Sequence, residues 1–272
     1  MARRRTPSPH RPHDPTALGR RFKQRLRGRD VLLGGTVMEY LRPSIIKAYR
    51  RAGYDFIFLE TEHTTFLTPQ FSDFVQSARD NGMPIISKTG KLERNEIARI
   101  MDTGVVGVQL PATESREQVE ALIDFVKYIP RGTRAGAPCF GNVDYQAPDD
   151  DRAWLRKANA ASLIVLHIET KPGYDNIDQI VSTPGVDMVY VGPYDFSISM
   201  GQPGDYDHPD VRKPMMEVLR VCRKHNVPFG TTASGPKAGA QWVKAGCRFF
   251  ELDDEISLVA AGAAHLVEQY RG

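Results

Sequence analysis

From residue 31 onward the chain alternates short apolar runs, rich in β-branched residues, with longer stretches of helical period. That alternation predicts parallel strands joined by helices, because two parallel strands need a crossover long enough to hold a helix. The runs are Leu32–Val37, Phe56–Glu60, Ile85–Lys88, Gly107–Leu110, Leu163–Glu169, Met188–Gly192, Pro228–Thr231 and Phe249–Leu252. Helical period follows over Pro43–Ala52, Pro69–Asn81, Arg94–Thr103, Ser115–Val126, Ala153–Ala161, Tyr174–Val181, Val211–His225, Pro236–Ala245 and Ile256–Tyr270. Eight strands close a barrel whose interior side chains fill. The expected fold is therefore α/β, a (β/α)8 TIM barrel forming one domain over residues 31–272, a size usual for that architecture.

Residues 1–30 read differently. They hold ten Arg and Lys against Asp14 and Asp30, a net +8 within a chain total of +3, which leaves −5 on the barrel. The opening stretch mixes Arg with Pro, Ser and His and has no apolar core, so it is not a secretory signal and is expected to be a flexible basic arm. Phe22, Leu26 and Leu32 suggest a short amphipathic helix leading into the first strand. An acidic barrel repels phosphates and no aromatic residue precedes Phe22, which argues against nucleic acid as the main partner. No apolar run approaches the roughly 20 residues that cross a bilayer, so no membrane partner is expected. Three widely spaced cysteines, Cys139, Cys222 and Cys247, fit neither a disulfide framework nor a zinc pair, and reduced thiols in a cytoplasmic protein are the simplest reading. The loop over 127–152, rich in Gly, Pro and Asp, has the length of a lid or an interface element.

In such barrels chemistry sits where strands end. The fifth run ends in His167-Ile168-Glu169-Thr170, and the sixth leads into Gly192-Pro193-Tyr194-Asp195-Phe196-Ser197, so neighbouring strands each deliver a carboxylate to one rim. Two carboxylates in a partly dry pocket repel unless a cation lies between them, and a hard divalent ion suits oxygen donors. The alternative is that Glu169 pairs with Lys171 and Asp195 caps a turn. After the second run comes Glu60-Thr61-Glu62-His63, a histidine flanked by acids that could act as a base or be an ordinary surface residue. The third run ends at Lys88, a cation aimed at an anionic substrate or simply an exposed lysine.

Together these segments resemble the HpcH/HpaI aldolase and citrate lyase family, specifically its class II pyruvate aldolases acting on 4-hydroxy-2-oxo acids, over roughly residues 31–270. The carriers are Gly53-Tyr54-Asp55-Phe56 running into Glu62-His63, Met101-Asp102-Thr103-Gly104, His167-Ile168-Glu169-Thr170, and Val191 through Ser197. The resemblance implies a catalytic base at His63, an acid supporting it at Asp102, metal ligands at Glu169 and Asp195, and a substrate-contacting cation at Lys88. Substrate contacts are also implied at His167, Tyr194 and Asp195. The cofactor implied is a divalent ion, Mg2+ first and Mn2+ or Co2+ next. The reactants implied are a small 2-oxo acid such as pyruvate and an aldehyde. Where the family has arginine, glutamine and alanine, this chain has Lys88, His167 and Tyr194. Lysine offers one compact charge in place of a planar fork, and the two larger side chains add bulk beside the metal. Asp102 ends a helix that returns toward the opposite rim, so its reach to a base would be into a neighbouring subunit.

An enolate-stabilising site of this kind could also decarboxylate an oxaloacetate-like acid, and a barrel that had lost activity would serve as a scaffold. The stripe Leu258, Val259, Ala263, Leu266 and Val267 of the last helix either packs on its own barrel or is exchanged between subunits. On the resemblance, a homo-oligomer built from dimers, up to a hexamer, is expected.

Overall fold

A computed structural model describes residues 14–64 and 68–272. In chain order the elements are α1 (Pro15–Leu26), β1 (Leu32–Val37), α2 (Pro43–Ala52), β2 (Phe56–Leu59), α3 (Thr68–Asp80), β3 (Ile85–Lys88), α4 (Arg94–Asp102), β4 (Gly107–Leu110) and α5 (Arg116–Val126). After a 3-10 turn (Gly141–Val143) come α6 (Asp151–Ala161), β5 (Leu163–Ile168), α7 (Lys171–Asp175), α8 (Ile177–Val181), β6 (Met188–Val191) and α9 (Pro193–Ser199). The chain ends with α10 (Pro209–Lys224), β7 (Phe229–Thr231), α11 (Pro236–Ala245), β8 (Phe249–Asp254) and α12 (Glu255–Arg271). Strands β1 to β8 pair in sequence order, all parallel, and β8 pairs with β1 to close the expected barrel.

Strand periodicity divides the core in two. Ile57, Leu59, Ile164, Leu166, Val189 and Val191 face outward into the layer shared with the helices. Leu32, Phe56, Leu163, Val165, Met188 and Phe249 face inward and fill the barrel. Leu18, Phe22 and Leu26 of α1 join this inner cluster, so the amphipathic helix foreseen before β1 is a plug for the barrel base. Burying three such side chains contributes about 1.5–3 kcal/mol each. The arm expected ahead of it falls mostly on residues 1–13, outside the described residues.

Gly34 is required by this packing, since a Cβ there would lie 2.1 Å from the Phe56 ring. At α9 the sequence reading was incomplete: Pro193 opens an unforeseen helix from its first turn, where its missing N–H costs nothing. The single helix expected over Tyr174–Val181 is two short ones broken at Asn176, whose side-chain amide donates to the Glu114 carbonyl at 2.9 Å.

The segment over 127–152 is not a lid. Arg79 donates to the Gly141 carbonyl at 2.9 Å and Asn142 donates to Asp102, which fastens the segment beneath the barrel, away from the strand C-termini. The reason is topological: a connection from helix to strand runs along the N-terminal end of the barrel. Of the α12 stripe, Leu258 alone packs against the barrel core, half-buried. Of that helix only Glu255 is buried, and Val259 and Leu266 are exposed. No helix among the described residues is long and apolar enough to cross a membrane.

Candidate active site

The inward parity that fills the barrel with Leu163 and Val165 continues along β5 to His167 and just past its end to Glu169. The same rule turns Glu60 inward after Phe58, Lys88 after Ile86, Tyr190 after Met188 and Glu251 after Phe249. Polar residues thus form the uppermost layer, and all of those named are buried. Above them opens a cavity of about 630 Å³, whose lining includes His63, Lys88, His167, Tyr194, Asp195 and Glu251.

Lys88 is not an exposed lysine but a buried one, with its side chain 4% accessible. Its Nζ lies 2.5 Å from Glu62 Oε2 and 3.5 Å from Glu60 Oε2. Burial works against its charge, but Glu169, Glu60 and Glu62 outweigh that and raise its pKa. The ammonium therefore stays protonated. Glu60 also accepts the backbone N–H of His63 at 3.2 Å, which orders the loop carrying the candidate base. The His63 ring is largely exposed over the cavity, with Nε2 3.8 Å from Glu62 Oε2.

Glu169 is fixed on one side only. Its Oε1 accepts from Ala112 N at 2.6 Å. Its Oε2 and His167 Nε2 approach to 3.1 Å but out of line for a hydrogen bond, so both buried atoms lack a partner. Burial pushes the Glu169 carboxyl up to about 7; Lys88 and the Ala112 N–H oppose this, while Asp195 and Glu62 add to it. His167 is held neutral, its pKa driven well below the usual range by burial and then by Lys88. Lys171, the other partner considered for Glu169, is paired with Asp175 at 2.6 Å. Gly192 is the residue that lets β6 pass this ring, because a Cβ there would sit 2.1 Å from His167 Nε2.

A half-satisfied buried carboxylate of raised proton affinity, with Asp195 acting on it from the first turn of α9, is the donor chemistry that suits a hard divalent cation. Among the described residues, Glu60, Glu62 and His63 also bring ligand atoms within 4.8 Å of one another, but Lys88 already supplies charge to that group.

Asp102 is not brought to the cavity of its own chain. It ends α4, which runs back to the base of the barrel, and there pairs with Arg134 and accepts from Asn142 at 3.0 Å. Its pKa is raised by burial, against the opposing effects of Arg134 and Asn142. Glu60, named in the sequence only as an acid beside His63, belongs to the buried layer of the site, and so does Glu251, which the sequence analysis did not single out. Glu251 is buried beside Tyr190 and Gln109, its carboxyl pushed up to about 8 by burial, with Oε1 unpartnered. An acid inside the apolar run Phe249–Leu252 was the signal for it.

Comparison with known proteins shows the family and the fold. The family profile described as HpcH/HpaI aldolase/citrate lyase matches residues 38–260. A 2-dehydro-3,6-dideoxy-6-sulfogluconate aldolase of Pseudomonas putida is 25% identical over 88% of this chain and 92% of its own. A 5-keto-4-deoxy-D-glucarate aldolase of Salmonella arizonae is 28% identical over 81% of this chain and 85% of its own. The crystal structure of an HpcH/HpaI aldolase from Desulfitobacterium hafniense shares the fold, with a TM-score of 0.86 at 24% identity over 92% of this chain and 96% of its own.

Proposed function

The chain belongs to the HpcH/HpaI aldolase/citrate lyase family and is a carbon–carbon lyase; from that premise we propose that it breaks and forms the C3–C4 bond of a 4-hydroxy-2-oxo acid, exchanging it with pyruvate or a related 2-oxo acid and an aldehyde. The observation that carries this reading is the convergence of Lys88, His63, His167 and Asp195 on one cavity, with a half-satisfied Glu169 behind them. The curated relatives are named as aldolases of oxo derivatives of sugar acids, which accords with it.

Glu169 and Asp195 are the residues that would hold a divalent ion. Bound there, such an ion would supply Lewis acidity toward the 2-oxo group and offset the negative charge of an enolate. The chain's own residues do the rest. His63 takes the proton from the C4 hydroxyl as the C3–C4 bond breaks, and returns it in the reverse direction. Lys88 keeps a fixed positive charge below the position where the enolate forms, and its buried setting strengthens that field. His167, neutral and wedged between Gln109 and Glu169, limits the Glu169 carboxylate's freedom to turn away. Tyr194, on the exposed first turn of α9, covers the 2-oxo acid from the solvent side.

Deuterium exchange at C3 of pyruvate, followed by NMR, tests the enolate step. Release of pyruvate from 4-hydroxy-2-oxo acids tests the cleavage. Both are expected to require Mg2+, Mn2+ or Co2+. The His63→Ala variant is expected to lose cleavage by about 100-fold or more, the usual weight of a general base. An unchanged His63→Ala rate in every productive reaction would remove that residue from its role, and carbon dioxide release from oxaloacetate without any aldol cleavage would replace the reaction proposed.

A further inference from the structure

We propose that the aldehyde partner of this enzyme is uncharged and hydroxylated, and that the cavity rejects aldehydes carrying a carboxylate or sulfonate. This rests on the aldolase reading above. Both curated relatives are named for substrates whose far end carries a second anionic group, a glucarate carboxylate or a sulfonate.

The mouth of the cavity in this chain is built against such a group. Asp253 and Asp254 line it, apart from the Glu169 and Asp195 pair that would hold the ion, and Glu60 lies below them. Among the described residues, Lys88 is the one lysine or arginine in the lining, and its ammonium is already engaged by Glu62 and Glu60 at the floor. The N-terminus of α12, which could otherwise receive an anion, is occupied from within. Asp254 accepts the N–H groups of Ile256 and Ser257, each at 2.9 Å. A second carboxylate entering here gains no unengaged Lys or Arg partner and meets like charge in a partly dry space.

Neutral hydroxyls find a different surface. Ser234 and Tyr206 line the same mouth, and neither side chain hydrogen-bonds to another of the described residues. They offer donors and acceptors to a polyol aldehyde at no electrostatic cost. The step itself is a balanced addition: pyruvate C3 gives up one proton, bonds to the aldehyde carbon, and the aldehyde oxygen takes a proton.

A matched pair isolates charge from size. Glyceraldehyde and tartronate semialdehyde differ only at the carbon remote from the aldehyde, which is CH2OH in one and COO− in the other. With the Mn2+-loaded enzyme and pyruvate, kcat/KM is expected to favour glyceraldehyde by at least about tenfold. Ser234→Arg, which sets a cation at the mouth, is expected to narrow that ratio by raising the rate with tartronate semialdehyde. Equal or reversed preference, with pyruvate C3 exchange intact, overturns the inference and leaves the aldolase reading standing. Absence of both C3 exchange and any aldol product overturns the aldolase reading, and this inference with it.

Discussion

At Lys88 a compact ammonium has been placed among Glu60, Glu62 and Glu169, with Glu251 nearby, where neither partner set is free to leave. Removing one member of a buried charge cluster leaves the rest uncompensated, which typically costs about 3–5 kcal/mol. Lys88→Met is therefore expected to lower the urea midpoint sharply and to abolish pyruvate exchange, whereas Lys88→Arg keeps the charge and is expected to recover most of the stability. Glu251 gives a cleaner electrostatic signature. Its carboxyl is pushed up to about 8 in the fold, above the roughly 4.3 of a free glutamate, so the folded state prefers the protonated form. Its contribution is complete below the unfolded value and is lost as pH rises through about 8. The Glu251→Gln variant, neutral at every pH, should match the parent in Tm near pH 4 and exceed it by about 10 °C at pH 8. A constant difference across that range would show that Glu251 is ionised in the native protein. What the sequence could say at this scale was uneven. Glu169, Asp195 and Lys88 stand at strand ends, where their chemistry is legible from position. Glu251 was hidden because an acid within an apolar run reads as an interruption until strand parity turns it inward, and Glu60, though at a strand end, was read only as a neighbour of His63.

The elements were readable where their period was long and their ends were marked by Pro or Gly. β1, β3 and β4, and helices α2 and α11, begin and end where the sequence says. α7, α8 and α9 were not, because five to seven residues cannot display a 3.6-residue period, and Gly192-Pro193 and Pro172-Gly173 look like loop. α12 raises a separate question. It is tied to the barrel at Glu255, which accepts the N–H of Glu39 and of Tyr40, each at 2.7 Å, and so shapes the loop after β1. Beyond that residue the helix leaves Val259, Leu266 and Val267 in solvent, an arrangement that a second subunit would relieve. If α12 is an assembly element, Leu266→Asp combined with Val259→Asp will shift the protein to a smaller species in light scattering, while the far-UV spectrum stays that of the parent. Unchanged mass would assign α12 to no interface.

Over the whole molecule, the separation of Asp102 from His63 is the feature that turns assembly into chemistry. In a (β/α)8 barrel the ends of helices such as α4 and the ends of strands such as β2 lie at opposite rims, so no adjustment of side chains brings the two together within one chain. The resemblance that led to His63 as base also assigned Asp102 as its support, and both assignments hold only if the site is completed across a subunit boundary. Two variants decide it. His63→Ala and Asp102→Ala are each expected to be weakly active alone. Unfolded together and refolded as a mixture, they generate assemblies in which one site carries both lesions and another carries neither. For dimers formed at random, half are mixed and half the sites of each are intact, so activity should return to about a quarter of the parent level. If no activity returns, Asp102 acts within its own barrel. Its carboxylate then serves to hold Arg134 and Asn142, and with them the segment over 127–152, beneath the strands. In that event Asp102→Ala would lower Tm and leave the pH profile of the remaining activity unmoved, whereas loss of a partner to the base would shift that profile.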